Sequence, residues 1–343
     1  MKSIGLRSLM SCLPESLVVR LPDVMPIAVQ GKESKCVSYH DHEGTELYKS
    51  PSIHVKSIFE LVTLPDTSSV ATCFRDKLRD LMLEGVDTQW GKKCIGYDES
   101  DNEVWAIFQD GTRVRGDILI GSDGIHSPSI CLVKKKNSSS YFSYNFLIFY
   151  FLSVVRKQRL PHLQIFDYGL TQVIINATPS KKLIDRIVAL NGNCITQKTY
   201  GQDGDNTFAI MRLIPIETDT TENTPDDQIH YRITTCYTYF THWDKDVDVD
   251  DNNPQSVVDH MKTLIKKHRK PCELTDILLE LISTLPVSPP KEHEKSLFRT
   301  YNPLRRRPLQ DINPMSIEPW EPTRVTLLGD SIHAMNPFLG FGM

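Results

Sequence analysis

The sequence predicts an α/β fold in which a parallel-sheet unit encloses an α+β unit built on a mostly antiparallel sheet. Three observations carry this. Two short apolar runs, Ile118–Ile120 and Val325–Leu328, end close to Asp123-Gly124 and Gly329-Asp330, as buried strands do when their carboxyl ends open onto loops. Between residues 93 and 115, apolar stretches alternate with turn residues in a meander. Between the two apolar runs lies a long β-rich segment, 230–240, followed by two stretches with apolar residues at helical spacing.

At 343 residues the chain suits two domains or one large composite. Hydrophobic content of 40% and charged content of 24% are those of a soluble globular protein. A formal net charge of -4 gives no reason to expect nucleic acid or an acidic membrane surface as partner. Eight cysteines are scattered without a C-x-x-C pair, which predicts reduced, buried thiols rather than a disulfide framework or a zinc site. No apolar stretch of signal-peptide length opens the chain, so a cytoplasmic location is expected.

Residues 1 to about 55 carry Pro14, Pro22 and Pro26 and are expected to hold little regular structure. Thr67–Leu83 follows as an amphipathic helix, with Val70, Phe74, Leu78 and Leu81 at helical spacing and Gly85 as its stop. The meander comes next: Lys93–Tyr97, Val104–Gln109 and Thr112–Arg115, the last two joined by an Asp110-Gly111 turn. It leads into Gly116-Asp-Ile-Leu-Ile-Gly-Ser-Asp-Gly-Ile-His-Ser-Pro128.

An anomalous insertion occupies 129–153. Its apolar part, from Tyr141, is shorter than the roughly twenty residues a membrane span needs. Its Tyr, Phe, Asn and Ser residues lack a helical period, which weakens an amphipathic or core helix. Its Phe, Tyr, Leu, Ile, Asn and Lys content also suits translated intron, and Val154-Val-Arg156 would then join directly to Ser127-Pro128. No membrane span is favoured, although 141–155 could associate with a membrane surface.

Residues 154–311 read as a second domain. Short strands are expected at Leu163–Phe166, Gln172–Asn176 and Phe208–Leu213, and a long one over His230–Phe240. Tyr231, Tyr237 and Tyr239 share one strand parity and suit either a core or a pocket wall. The acidic runs Thr218–Asp227 and Asp244–Asn253 lack calcium-loop spacing and read as solvated loops. Helices are expected around Val257–Ile265 and Leu274–Leu281, and Arg305-Arg306-Arg307 as a solvated basic corner. Residues 312–343 return to the first domain.

The closing stretch, Arg324-Val-Thr-Leu-Leu-Gly-Asp-Ser-Ile-His-Ala-Met-Asn-Pro-Phe-Leu-Gly-Phe-Gly342, resembles the "GD" signature of FAD-dependent aromatic hydroxylases, the p-hydroxybenzoate hydroxylase-like monooxygenases. Gly-Ser-Asp123-Gly-Ile-His-Ser resembles the same family's "DG" motif, and Arg75-x-x-Leu78 its cofactor-contacting helix. The resemblance implies an FAD-binding, Rossmann-like domain of the glutathione reductase type. Residues 1–128 and 312–343 would form it, and 154–311 would be the substrate domain. The family's Gly-x-Gly-x-x-Gly turn is absent, and Gly340–Gly342 is the sole Gly-x-Gly. The domain therefore reads as incomplete, the chain beginning after that turn and stopping just before a helix.

By the same resemblance Gly329 and Asp330 would serve the ribityl chain, and Pro337, Gly340 and Gly342 would pass close to the flavin ring. Arg75, Asp123 and Gly124 would serve the cofactor's polar portion, with Arg156 completing the DG motif. The implied reaction uses NAD(P)H and O₂ to hydroxylate a small, aromatic substrate through a flavin hydroperoxide, with no metal and no catalytic base named by the sequence. Two alternatives stand beside it: a catalytically incompetent fragment or pseudoenzyme, and a flavin oxidoreductase or halogenase of the same fold.

Overall fold

The computed structural model describes residues 3–25, 34–51, 57–63, 73, 75–122, 124, 131–135, 146–149, 154–191, 194–202, 208–215, 231–285, 304–319 and 321–335. It divides into two compact units: Met1–Leu78 with Gly169–Leu309, and Arg79–Tyr168 with Gln310–Met343.

The opening residues are more regular than their prolines suggest. They form helices α1 (Ser3–Cys12), α2 (Glu15–Val18) and α3 (Leu21–Val24), then strands β1 (Ser34–His40) and β2 (Glu46–Lys49) and helix α4 (Ile58–Leu61). The prolines start helices here instead of breaking them. Pro14 is the N-cap of α2, and Pro22 lies in the first turn of α3, where the missing N–H would have had no intrahelical partner anyway. The β1–β2 hairpin turns on Asp41, whose carboxylate accepts from the backbone N–H groups of Glu43 and Thr45, both at 2.9 Å.

Helix α5 (Arg75–Met82) matches the described part of the expected helix. Strands β3 (Val86–Trp90), β4 (Cys94–Glu99), β5 (Val104–Phe108), β6 (Arg113–Gly116) and β7 (Ile118–Gly121) come next. The meander forms as expected, a three-stranded sheet in the order β4-β5-β6. Its β5–β6 turn is held by Asp110, which accepts from Thr112 N–H at 2.9 Å and from Lys92 Nζ at 2.5 Å. These hydrogen bonds, from Lys92 first and Thr112 second, hold the Asp110 carboxyl well below the usual range.

Two strands lie inside the anomalous insertion, β8 (Cys131–Lys135) and β9 (Phe146–Phe149). A helical reading of the described part is overturned, because β9 takes the parallel place beside β7 and β8 pairs antiparallel with β9 and β3. The resulting five-stranded sheet has the order β15-β7-β9-β8-β3, where β15 is Val325–Leu327 and pairs parallel with β7. Helix α6 (Val154–Arg159) covers part of this unit. Its core gathers Cys94, Val104, Phe108, Leu119, Val155, Val325 and Leu327.

Beyond α6 the chain forms β10 (Ile165–Ala177), α7 (Lys181–Asn191), β11 (Cys194–Tyr200), β12 (Phe208–Pro215), β13 (Tyr231–Phe240), α8 (Pro254–His268), α9 (Glu273–Ser283) and β14 (Arg306–Ile312). The two short strands expected around residues 163–176 are one strand of 13 residues, because Gly169 takes φ +67° without ending it. A seven-stranded sheet results, in the order β14-β10-β13-β12-β11-β1-β2, with β1 and β11 parallel. One face is packed by α7, α8 and α9: Val173, Ile175, Ala177, Ile233, Tyr237 and Tyr239 meet Ile184, Val257, Met261, Leu274, Ile277 and Leu278. Tyr237 and Tyr239, 1% and 0% exposed, are therefore core residues and not pocket walls.

The basic corner is also corrected. Arg306 grips Asp251 at 2.9 and 3.0 Å and Asp244 at 3.0 Å. Asp244 in turn bonds His260 at 2.7 Å and Tyr239 OH at 3.1 Å. The acidic run Asp244–Asn253 is thus partly a clamp for Arg306, because a half-buried guanidinium needs carboxylates beside it. Among the described cysteines Cys94 is buried as expected, while Cys12 is exposed. No helix among the described residues is long and apolar enough to cross a membrane, and no described cluster of His, Cys, Asp or Glu suits a metal.

Candidate functional site

The two strand ends singled out by the sequence lie side by side. Val325, Thr326 and Leu327 of β15 are register partners of Leu119, Ile120 and Gly121 of β7. Because the pair is parallel, both carboxyl ends open on the same edge, where α/β sheets bind ligands. Leu328 N–H donates to the Gly121 carbonyl at 2.9 Å, and Leu119 N–H to the Arg324 carbonyl at 2.8 Å. The guanidinium of Arg324 fixes the start of β15 by donating to the carbonyls of Asp101 and Asp117, at 2.8 and 3.1 Å.

Both strands end on a glycine-dependent step. A Cβ at Gly121 would stand 2.8 Å from Val155 Cγ1 and 2.9 Å from Leu327 Cδ2. Its absence lets α6 pack against the end of β7. Gly329 takes φ +68° and ψ −145°, a region closed to side chains with a Cβ, and no described residue lies within 4 Å of where its Cβ would be. The chain thereby swings into the single helical turn α10 (Asp330–His333). Ser331, 0% exposed, closes the junction: its hydroxyl lies 2.8 Å from both the Gly121 and the Leu328 carbonyl oxygens.

Gly329, Asp330 and Gly124 (φ +63°) thus leave from one edge. The Asp330 side chain is exposed, and no described residue hydrogen-bonds its carboxylate. Arg156, 3% exposed, sits on α6 one residue beyond Val155. Arg75 begins α5, is exposed and belongs to the first unit. Asp123, Pro337, Gly340 and Gly342 lie outside the described residues.

Three residues with structural roles in this unit were not singled out by sequence reasoning. Gly121 and Ser331 are inside the quoted motifs, where a small residue beside the named one was the available signal. The third is Gln158 of α6. Its side-chain amide accepts from Tyr97 N–H at 3.1 Å and donates to the Tyr97 carbonyl at 2.7 Å, beside the bulge where β4 shifts register. A lone glutamine on a short helix carries no such signal.

No protein-family profile matches the chain. It is 32% identical over 102 residues to YetM of Bacillus subtilis, named as an FAD-dependent monooxygenase, a match covering 28% of this chain and 26% of YetM. It is 43% identical over 54 residues to the salicylate hydroxylase of Pseudomonas putida, covering 16% of this chain and 12% of that protein. The matched stretches thus span about a quarter or less of these relatives. Among solved structures, an FAD-containing monooxygenase of Photorhabdus luminescens superposes with a TM-score of 0.61 at 19% identity, over 100% of this chain and 72% of that one. The fold is shared across the chain, and the sequence matches over part of it carry names of one kind, FAD-dependent monooxygenase or hydroxylase.

Proposed function

We propose that this chain binds FAD at the paired ends of β7 and β15, and that the protein hydroxylates a small aromatic substrate using NAD(P)H and O₂. The observation that carries the reading is the Gly329–Asp330 step: a glycine at φ +68° with open space on its Cβ side, followed by an exposed carboxylate at a strand's carboxyl end. A carboxylate so placed accepts hydrogen bonds from ligand hydroxyls such as those of a ribityl chain. Gly124 permits close approach of the neighbouring loop. Asp123, Arg75 and Arg156 would serve the cofactor's polar portion, and Pro337, Gly340 and Gly342 its ring.

Bound FAD would supply the redox chemistry, taking electrons from NAD(P)H and delivering them to O₂. The protein's part is to bind, orient and exclude water. The salicylate hydroxylase match is consistent with an aromatic substrate.

The test is FAD titration of the purified chain by fluorescence quenching. Asp330→Ala is expected to weaken binding about tenfold, or about 1.4 kcal/mol, with an unchanged circular dichroism spectrum. A wild-type chain that takes up no flavin, or a variant that binds as tightly, would overturn the site. Substrate-dependent NAD(P)H oxidation with an oxygenated product then tests the reaction.

A further inference from the structure

A row of buried polar side chains on the helix-packed face of the seven-stranded sheet takes no part in that function. Ser38 and Gln197 are register partners across β1 and β11, as are His40 and Thr199. Strand alternation places all four on one face, and each is 0% exposed. Part of the row is satisfied. Arg269, just past α8, donates to Thr199 Oγ1 at 3.0 Å, and that hydroxyl donates to the Asp41 carbonyl at 3.0 Å.

The rest is not. Gln197 Nε2 lies 3.1 Å from His40 Nδ1. An amide nitrogen only donates, so Nδ1 accepts, and a neutral imidazole then carries its hydrogen on Nε2. Burial, opposed by Glu46 and Asp41 and aided by Lys49, lowers the His40 pKa and keeps the ring neutral. His40 Nε2, Ser38 Oγ and Gln197 Oε1 are all buried without a hydrogen-bond partner among the described residues. So is Oγ1 of Thr235, on the same face through the register Gln197–Met211–Thr235. Native folds leave few such atoms without a partner of some kind.

We propose that Ser38, His40 and Gln197 form a buried hydration site, where ordered water accepts from His40 Nε2–H, donates to Gln197 Oε1 and bonds the Ser38 hydroxyl. The mixture of a donor, an acceptor and a hydroxyl selects the ligand. An anion would face the Gln197 carbonyl oxygen and a cation the imidazole N–H, whereas water satisfies both. Thr235 extends the polar row toward the centre of the sheet, so a second water beside it belongs to the same arrangement. Functionally the site would tie the β1–β2 hairpin to the sheet through solvent as well as through the parallel β1–β11 ladder.

Two measurements on the full chain test this. A high-resolution crystal structure is expected to show a water within hydrogen-bonding distance of at least two of the three atoms. Side chains rotated to satisfy one another with no solvent between them, or a site that exchanges to bromide on soaking, would overturn the proposal. Imidazole ¹⁵N spectroscopy is expected to find neutral His40 protonated on Nε2, with a cross-relaxation peak to a long-lived water. Protonation on Nδ1, or no contact with water, would overturn it.

Discussion

In the first unit the seven-stranded sheet is backed by α7, α8 and α9, and its stability rests on large apolar side chains such as Ile277, Leu278 and Met261 that are 0% or 1% exposed. In the second unit the decisive contacts at the end of β7 are made by what is missing from a residue and by one hydroxyl: the absent Cβ of Gly121 and the Oγ of Ser331. The first arrangement tolerates change in proportion to volume; the second has no slack in the direction of greater size. A sheet backed by helices is free to be bulky, whereas a strand end packed this closely must keep its backbone near its neighbours.

That contrast can be broken on either side. Leu278→Ala should cost about 2–5 kcal/mol, measured by chemical denaturation, because it opens a cavity under the sheet; a cost below about 1 kcal/mol would show that the helices are not what holds it. Gly121→Ala should cost about 1–3 kcal/mol although it adds a single carbon. Pairing it with Val155→Ala should recover part of that loss, and failure to recover would mean that Val155 is not the obstacle. Ser331→Ala should cost about 1 kcal/mol through the hydroxyl's lost bonds to the Gly121 and Leu328 carbonyls, and it should weaken flavin binding less than Asp330→Ala does.

The smallest effect is a pH dependence confined to the first unit. His40 has its pKa lowered from 6.5 by burial, against Glu46 and Asp41, which raise it, and with Lys49, which lowers it further. The unfolded chain therefore binds a proton more readily than the folded one. His40 contributes its full stability above pH 6.5 and loses it as pH falls below that value. His40→Leu should flatten the acid side of a stability–pH curve in that window. An unchanged slope would assign the loss to other groups.

Much of this could be read from the residues. The meander was legible because Asp110-Gly111 forces a turn between two apolar runs, and β15 because three apolar residues stop at Gly329. Helices α8 and α9 announced themselves by spacing. Other features were hidden because the deciding contact lies far away in the chain. Arg306 reads as one of three surface arginines until Asp251 and Asp244 are folded against it. Residues 163–176 read as two short strands, yet one strand of 13 residues runs through Gly169 at φ +67°. Tyr237 and Tyr239 share a parity whether they face a core or a ligand, and the helices decide which. At the site, Gly329 and Asp330 were legible as a motif, while Gly121 matters because Val155 of α6 and Leu327 of β15 both close on it.

Gln158 has a consequence for how the molecule behaves in a crowd. Strand β4 is an edge of its sheet, and the outward N–H and carbonyl of Tyr97 are the groups another chain's strand would seek. The Gln158 amide already bonds both. One side chain thus caps one residue of that edge, and replacing it would leave those two backbone groups open to pairing.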